Sequence, residues 1–207
     1  SVSYLDPLMK VGTQVRGRKA DKEIIKAQRE IFRRFHLDEK TEQLYPFQLS
    51  GGMARRVLVS MAVLSGAEVI IADEPTPGLD LEMALEALKI FRELSDEGKA
   101  VILITHDIDL AFHIADRIAV FYAGTTVEIA AAKDFLEGVD ALRHPYSKAL
   151  WKALPQNGFE PIPGFQPYAK YLPKGCLFSP RCPHKTKECE ENIPMREVRG
   201  GYVRCIH

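Results

Sequence analysis

The sequence predicts an α/β fold: a partial parallel sheet, preceded by a helical segment and followed by a loop-rich, cysteine-bearing extension. Three observations predict it. Short apolar runs at Glu68–Ala72 and Ala100–Thr105 are separated by a stretch of helical period, the spacing of a crossover that joins parallel strands. Upstream, the pattern is helical and heavily charged. Downstream, Pro155, Pro161, Pro163, Pro167 and Pro173 break every period, and all four cysteines follow.

Taken in order, 21–36 places Ile24, Ile25, Ile31, Phe32 and Phe35 on one helical face. The stretch 45–48 interrupts it. Ser50 is a suitable N-cap for a mostly apolar helix over 53–64. After the first strand, 81–98 reads as a helix stopped by Gly98, the second strand follows, and 107–115 is a further helix. The run 116–122 reads as a third strand of a parallel sheet covered on both faces, and 123–130 as a short edge strand. Two helical pieces, 132–138 and 144–154, precede the Pro-rich linker. The 207 residues, 46% of them hydrophobic, suffice for a sizeable core. Lys plus Arg and Asp plus Glu both number 28, which argues against a nucleic-acid binder. No apolar run approaches the length of a membrane span. The start lacks the basic and apolar regions of a signal peptide, and an initiator methionine.

Three stretches carry chemistry. In Val69–Asp80, an apolar strand delivers two adjacent carboxylates, Asp73 and Glu74, and Asp80 follows a Pro/Gly turn. Adjacent carboxylates repel, so a bound cation and a water to activate would account for the pair; an acidic loop would too. Ser50, Gly51 and Gly52 open a helix, where free amides and the macrodipole make an anion site. An ordinary capped helix start is the alternative. His106 lies just beyond the second strand, the edge where open α/β sheets bind ligands. It reads either as a phosphate contact or as a structural histidine.

The order and spacing of these stretches resemble the ATP-binding subunit of ABC transporters. "LSGGM" at 49–53 is similar to the family signature, "VIIADE" at 69–74 to Walker B, "PGLD" at 77–80 to the D-loop and "LITHD" at 103–107 to the switch histidine. The resemblance implies a P-loop-NTPase-like sheet, ATP and Mg²⁺ as cofactors, and a role for each position. Asp73 would hold Mg²⁺ through water, and Glu74 would be the general base. His106 would contact the γ-phosphate, and Asp80 would communicate across a dimer interface. Ser50, Gly51 and Gly52 would touch the γ-phosphate of ATP held by the opposite subunit. No P-loop matches: the nearest stretch, 12–19, has Arg18 where the motif needs lysine and Lys19 where it needs a hydroxyl. The Q-loop glutamine has no clear match either. The resemblance therefore covers the C-terminal two-thirds of such a subunit, and the 207-residue chain alone is expected not to hydrolyse ATP.

The tail narrows the family. "HPYSKALWKALP", "PIPG" and "GCLFSPRCPHKTKEC" resemble the C-terminal extension of the oligopeptide, dipeptide and nickel importer group. "ARRV" at 54–57 departs from the usual "RQRV", and the linker at 164–173 is also unlike the usual one. Cys176, Cys182, Cys189 and Cys205 are spaced C-x5-C, C-x6-C and C-x15-C. A reducing cytosol argues against disulfides, and the lack of a short C-x2-4-C pair argues against zinc. Four thiolates in a loop-rich segment suit a [4Fe–4S] cluster, and the resemblance implies one; zinc, or free thiols, remain alternatives, and His184 and His207 read as bystanders rather than as substitute ligands. From Lys170 onward eight basic and four acidic residues leave a net charge of +4, which would favour thiolates. So few apolar side chains follow Cys176 that a cross-linking centre would be needed to order the tail.

The reading is a helical signature subdomain over 1–66, an ATPase core over 67–140 and an oligopeptide/nickel-type extension over 141–207. The function is that of an ATP-hydrolysing subunit of an importer for peptides or nickel, peripheral on the cytoplasmic face of the inner membrane. Its partners are a second ATPase subunit, like or unlike, transmembrane permease subunits and, indirectly, an extracytoplasmic substrate-binding protein. A soluble ABC ATPase and a stand-alone metal-cluster or interaction module are the alternatives.

Overall fold

The computed structural model describes residues 4–17, 21–77 and 81–207, apart from the side chain of Met83. The chain forms two compact units, Ser1–Ile114 and Ala115–His207.

In the first unit, α1 (Val11–Arg16), α2 (Lys22–Arg34) and α3 (Gly51–Leu64) enclose a core of Val11, Val15, Phe32, Leu37, Ala54 and Val57. Asp21 starts α2 by accepting from the Ile24 amide at 2.9 Å, and Ser50 starts α3 by accepting from Met53 at 3.2 Å. Strands β1 (Val69–Asp73) and β2 (Ala100–Ile104) are parallel and in register from Val69 opposite Ala100 to Asp73 opposite Ile104. They are joined through α4 (Leu81–Asp96), and α5 (Ile108–Ile114) follows. Ile70 and Ala72 pack with Leu88, Phe91, Leu94 and Leu110 in a second core. The alternation of β1 sends Val69 and Ile71 the other way, where they are 54% and 64% exposed, with Ile102 and Ile104 of β2 at 50% and 49%. The expected cover on both faces is therefore corrected: among the described residues one face of this sheet is open.

The second unit corrects two strand assignments. β3 (Arg117–Tyr122) is not a parallel strand, and β4 (Thr125–Ala131) is not an edge. They form an antiparallel hairpin closed by Ala123 and Gly124, both at positive φ (48° and 82°), which a two-residue hairpin turn of primed type requires. β5 (Arg196–Val198) and β6 (Gly201–Val203) repeat the device with Arg199 and Gly200 at 48° and 72°, and β6 pairs with β4 to give the order β3-β4-β6-β5. α6 (Ala132–Glu137) and α7 (Pro145–Lys152) complete the unit. Tyr122, Tyr146, His144 and Phe178 form an aromatic cluster with ring centroids 4.5–6.0 Å apart. Arg181 lies over Tyr122 and Phe178 and donates to the carbonyls of Ile162 (2.8 Å) and Pro163 (2.7 Å). The "HPY", "PIPG" and "FSPRC" stretches thus meet in one place.

His144 is 1% exposed. Its Nδ1 accepts from the Tyr146 amide at 3.0 Å, so the proton sits on Nε2, which is buried and has no hydrogen-bond partner among the described residues. Burial holds its pKa down at about 4, against the ordinary 6.5. Because the folded pKa is depressed, the neutral ring stabilises this unit above pH 6.5, and that contribution is lost as pH falls from 6.5 towards 4. The loss should reach roughly 3 kcal/mol at the lower end. Urea unfolding followed through Trp151, the only tryptophan, should show lower stability at pH 5 than at pH 7. His144→Gln should remove most of the slope; an unchanged slope would contradict this assignment.

Candidate ATPase site and cysteine cluster

The two adjacent carboxylates leave the end of β1 in different environments. Asp73, the last residue of the strand, is exposed. The Glu74 amide donates to the Ile104 carbonyl at 2.9 Å, which extends the ladder by one bond. Its backbone then turns into the left-handed region, φ 46°, where a non-glycine residue costs about 1–3 kcal/mol. This turn directs the side chain to His106, beyond the end of β2, whose Nδ1 lies 2.8 Å from Glu74 Oε1. An ionised carboxylate can only accept, so the imidazole donates. The Glu74 carboxylate beside it raises the His106 pKa, first through this hydrogen bond and then through its charge. Glu74 Oε2 is buried and, among the described residues, has no hydrogen-bond partner. The geometry thus provides an acceptor with a free oxygen, oriented by a histidine that is itself 79% exposed.

Ser50, Gly51 and Gly52 stand at the first turn of α3, where the amides of Gly51 and Gly52 have no intrahelical acceptor. Gly51 is exposed, and a Cβ there would meet nothing within 4 Å. Gly52 lines a cleft with Arg55, Arg56, Glu86 and Lys89 that does not include Glu74 or His106. Among the described residues, no hydrogen bond or ion pair joins 50–52 to the Asp73–Glu74–His106 group. Asp80 lies outside the described residues. Sequence reasoning missed Arg55, which donates to the Pro77 carbonyl and ties α3 to the loop after Glu74. The only signal was the departure of "ARRV" from the usual pattern.

The four cysteines are free: Cys176, Cys189 and Cys205 are buried and Cys182 is half-buried. They are neighbours. Burial pushes the Cys176 and Cys182 thiols up first, and the charges of the other cysteines push them further. The expected lowering by nearby basic residues is not what dominates. Within the tail, β6 joins β4, Phe178 is 1% exposed, and the Cys176 amide donates to the Cys189 carbonyl at 2.8 Å. Gly175 permits that approach: at φ 70°, a Cβ would collide with the carbonyl oxygens of Cys189 and Glu191. Among the described residues, no group of three or more His, Cys, Asp or Glu could hold a metal ion.

Residues 2–77 match the family described as "ABC transporter", and residues 127–189 match "Oligopeptide/dipeptide transporter, C-terminal region". This chain belongs to the ABC transporter ATP-binding family. It is 40% identical over 172 residues to the oligopeptide transport ATP-binding protein OppD of Escherichia coli, covering 80% of this chain and 50% of OppD. It is 36% identical over 216 residues to the dipeptide transport ATP-binding protein DppD of Bacillus subtilis, covering 96% of this chain and 63% of DppD. The ABC chain therefore spans between half and two-thirds of these relatives. Among solved structures it is similar to an ATP-binding cassette in a dimeric post-hydrolysis state bound to ADP and Pi, at 27% identity and TM-score 0.55, covering 62% of this chain and 59% of that one. A metal-chelate type ABC transporter in an inward-facing conformation is similar in fold, with TM-score 0.56 at 20% identity, over 64% of this chain and 56% of that one. Among the described residues of the ABC chain, no helix is long and apolar enough to cross a membrane.

Proposed function

We propose that this chain is part of an ATP-hydrolysing subunit of a peptide importer. The observation that carries the reading is the Glu74–His106 pair at the C-terminal ends of two parallel strands, with Glu74 Oε2 free to accept a proton. Glu74 is the general base for the attacking water, and His106 orients it and faces the γ-phosphate. Asp73, exposed at the strand end, suits Mg²⁺ held through water; the ion supplies charge neutralisation for the phosphates. The amides of Gly51 and Gly52, with Ser50, open α3 without intrahelical acceptors and suit the γ-phosphate of ATP on a second subunit. Asp80 is assigned to contact across the same dimer interface. The segments 1–66, 67–140 and 141–207 act as signature region, catalytic core and extension. OppD and DppD are named for oligopeptide and dipeptide transport, which favours peptides over nickel as cargo. Permease subunits, an extracytoplasmic binding protein and a position on the cytoplasmic face of the inner membrane follow from that reading. Glu74→Gln in the complete subunit tests it.

Within the same reading we assign the four cysteines to an iron–sulfur cluster rather than to zinc. Structural zinc sites usually carry a short C-x2-4-C pair, and the tail has none. The Cys176 thiol feels the charges of Cys189 and Cys205, and Cys182 those of all three others, which supports one shared centre. Burial keeps the Cys176 and Cys182 thiols protonated, so loading should release protons. Anaerobically purified protein should be brown with about four irons per chain, and each Cys→Ser change should bleach it. A colourless preparation with one zinc per chain would overturn the assignment.

A further inference from the structure

We propose that an open cleft in the C-terminal unit binds a phosphate-bearing anion, at a site separate from ATP hydrolysis. The cleft is about 610 Å³, within the range of small-molecule sites. It lies between the start of α7, the loop that follows Cys182 and the β5–β6 turn. Arg143, Lys148, Lys185, Arg199, His184 and His207 line it, and among the described residues no Asp or Glu does.

The cations differ in how far they are already neutralised. Arg143 is compensated by buried Glu128 (3.4 Å) and Asp134 (2.7 Å), and Lys185 by Glu190 (3.1 Å). Lys148 and Arg199 have no carboxylate partner among the described residues. Arg199 is nevertheless fixed in place, donating to the carbonyls of Asp140 (3.0 Å) and Leu142 (3.1 Å). Its charge is thus held at the wall without a counter-ion. The turn that carries it is also built tightly: a Cβ on Gly201 would lie 2.7 Å from Arg143 Cζ. The positive end of α7, which begins at Pro145 on the rim, adds to the same field.

Two uncompensated cations on the wall of a concave site repel each other, and a multivalent anion relieves that repulsion. A planar guanidinium beside an ammonium suits phosphate oxygens. Among the described residues no Phe, Tyr or Trp lines the wall, which favours the phosphate over a nucleobase as the recognised group. The recognised group is therefore a phosphomonoester or diphosphate. It can come from a free metabolite or from a lipid headgroup, and the test separates these.

The 207-residue chain would be titrated calorimetrically with inorganic pyrophosphate at fixed ionic strength. In parallel it would be sedimented with phosphatidylglycerol/phosphatidylcholine vesicles. Lys148→Glu removes a cation with no structural hydrogen bond, Lys148→Gln serves if the reversal impairs folding by Trp151 fluorescence, and Lys174→Glu controls for net charge. Pyrophosphate binding weakened about ten-fold by Lys148→Glu but less than two-fold by the control supports a free-anion site. Vesicle binding alone, lost on the same substitution and kept in the control, supports a lipid headgroup. No binding of either probe, or equal weakening by both substitutions, overturns the proposal.

Discussion

Glu74→Gln in the complete subunit should retain ATP binding and lower turnover by about 10²–10⁴-fold. The amide cannot accept the proton of the attacking water, while its shape and its contact with His106 are largely kept. The structure adds a second expectation. Because the carboxylate is what raises the His106 pKa, the amide variant should return that pKa towards its ordinary value. Histidine titration by NMR would detect this independently of activity. Residual turnover above about a tenth of normal would place the general base elsewhere.

Glu128→Ala should produce the largest loss of stability in the C-terminal unit. Glu128 is fully buried, and its two oxygens accept from the Arg143 amide (2.9 Å), the His144 amide (2.8 Å) and Arg143 Nη1 (3.4 Å). Arg143 also donates to Asp134 and to the carbonyls of Val198 and Arg199. One buried charge network thus joins β4, α6, the start of α7 and the β5–β6 turn. Removing Glu128 strands two backbone donors and leaves Arg143 with one carboxylate, a change expected to cost about 3–5 kcal/mol. For a unit of this size that lowers its Tm by roughly 15–25 °C. Glu128→Gln would not rescue it fully, because the new amide sets an N–H against one of the donors. A shift of a few degrees in Trp151-monitored melting would show that the network is not holding the unit together.

The chemistry of the candidate site was more legible than the sheet that surrounds it. Short motifs with chemical demands, such as two carboxylates after an apolar strand or a serine and glycines before a helix, identify themselves by residue type. The positive φ of Glu74 could not be foreseen, because nothing local favours it; the ladder bond to Ile104 and the contact with His106 impose it. The strand errors have a different cause. The run 116–122 has the composition of either a parallel or an antiparallel strand. The decision rests on Ala123 and Gly124, and alanine is a poor signal for a left-handed turn. Likewise "EVRGGYV" conceals a hairpin whose strands have only three residues each. The Glu128–Arg143 network was illegible because its members are 15 residues apart and look like ordinary surface charges in sequence. The tail has few apolar residues, and the hydrogen bonds that β6 makes with β4 could not be read from its composition.

In the proposed ATP site the signature residues of a second subunit complete the first, so dimerisation should depend on them. That dependence is tested most directly by light scattering of the complete subunit with Mg-ATP. Glu74→Gln should accumulate as a dimer when ATP is added. Adding Gly51→Glu, which sets a negative charge at the exposed start of α3, should leave that protein monomeric while still binding ATP. Dimers that form equally well with and without Gly51→Glu would contradict the account.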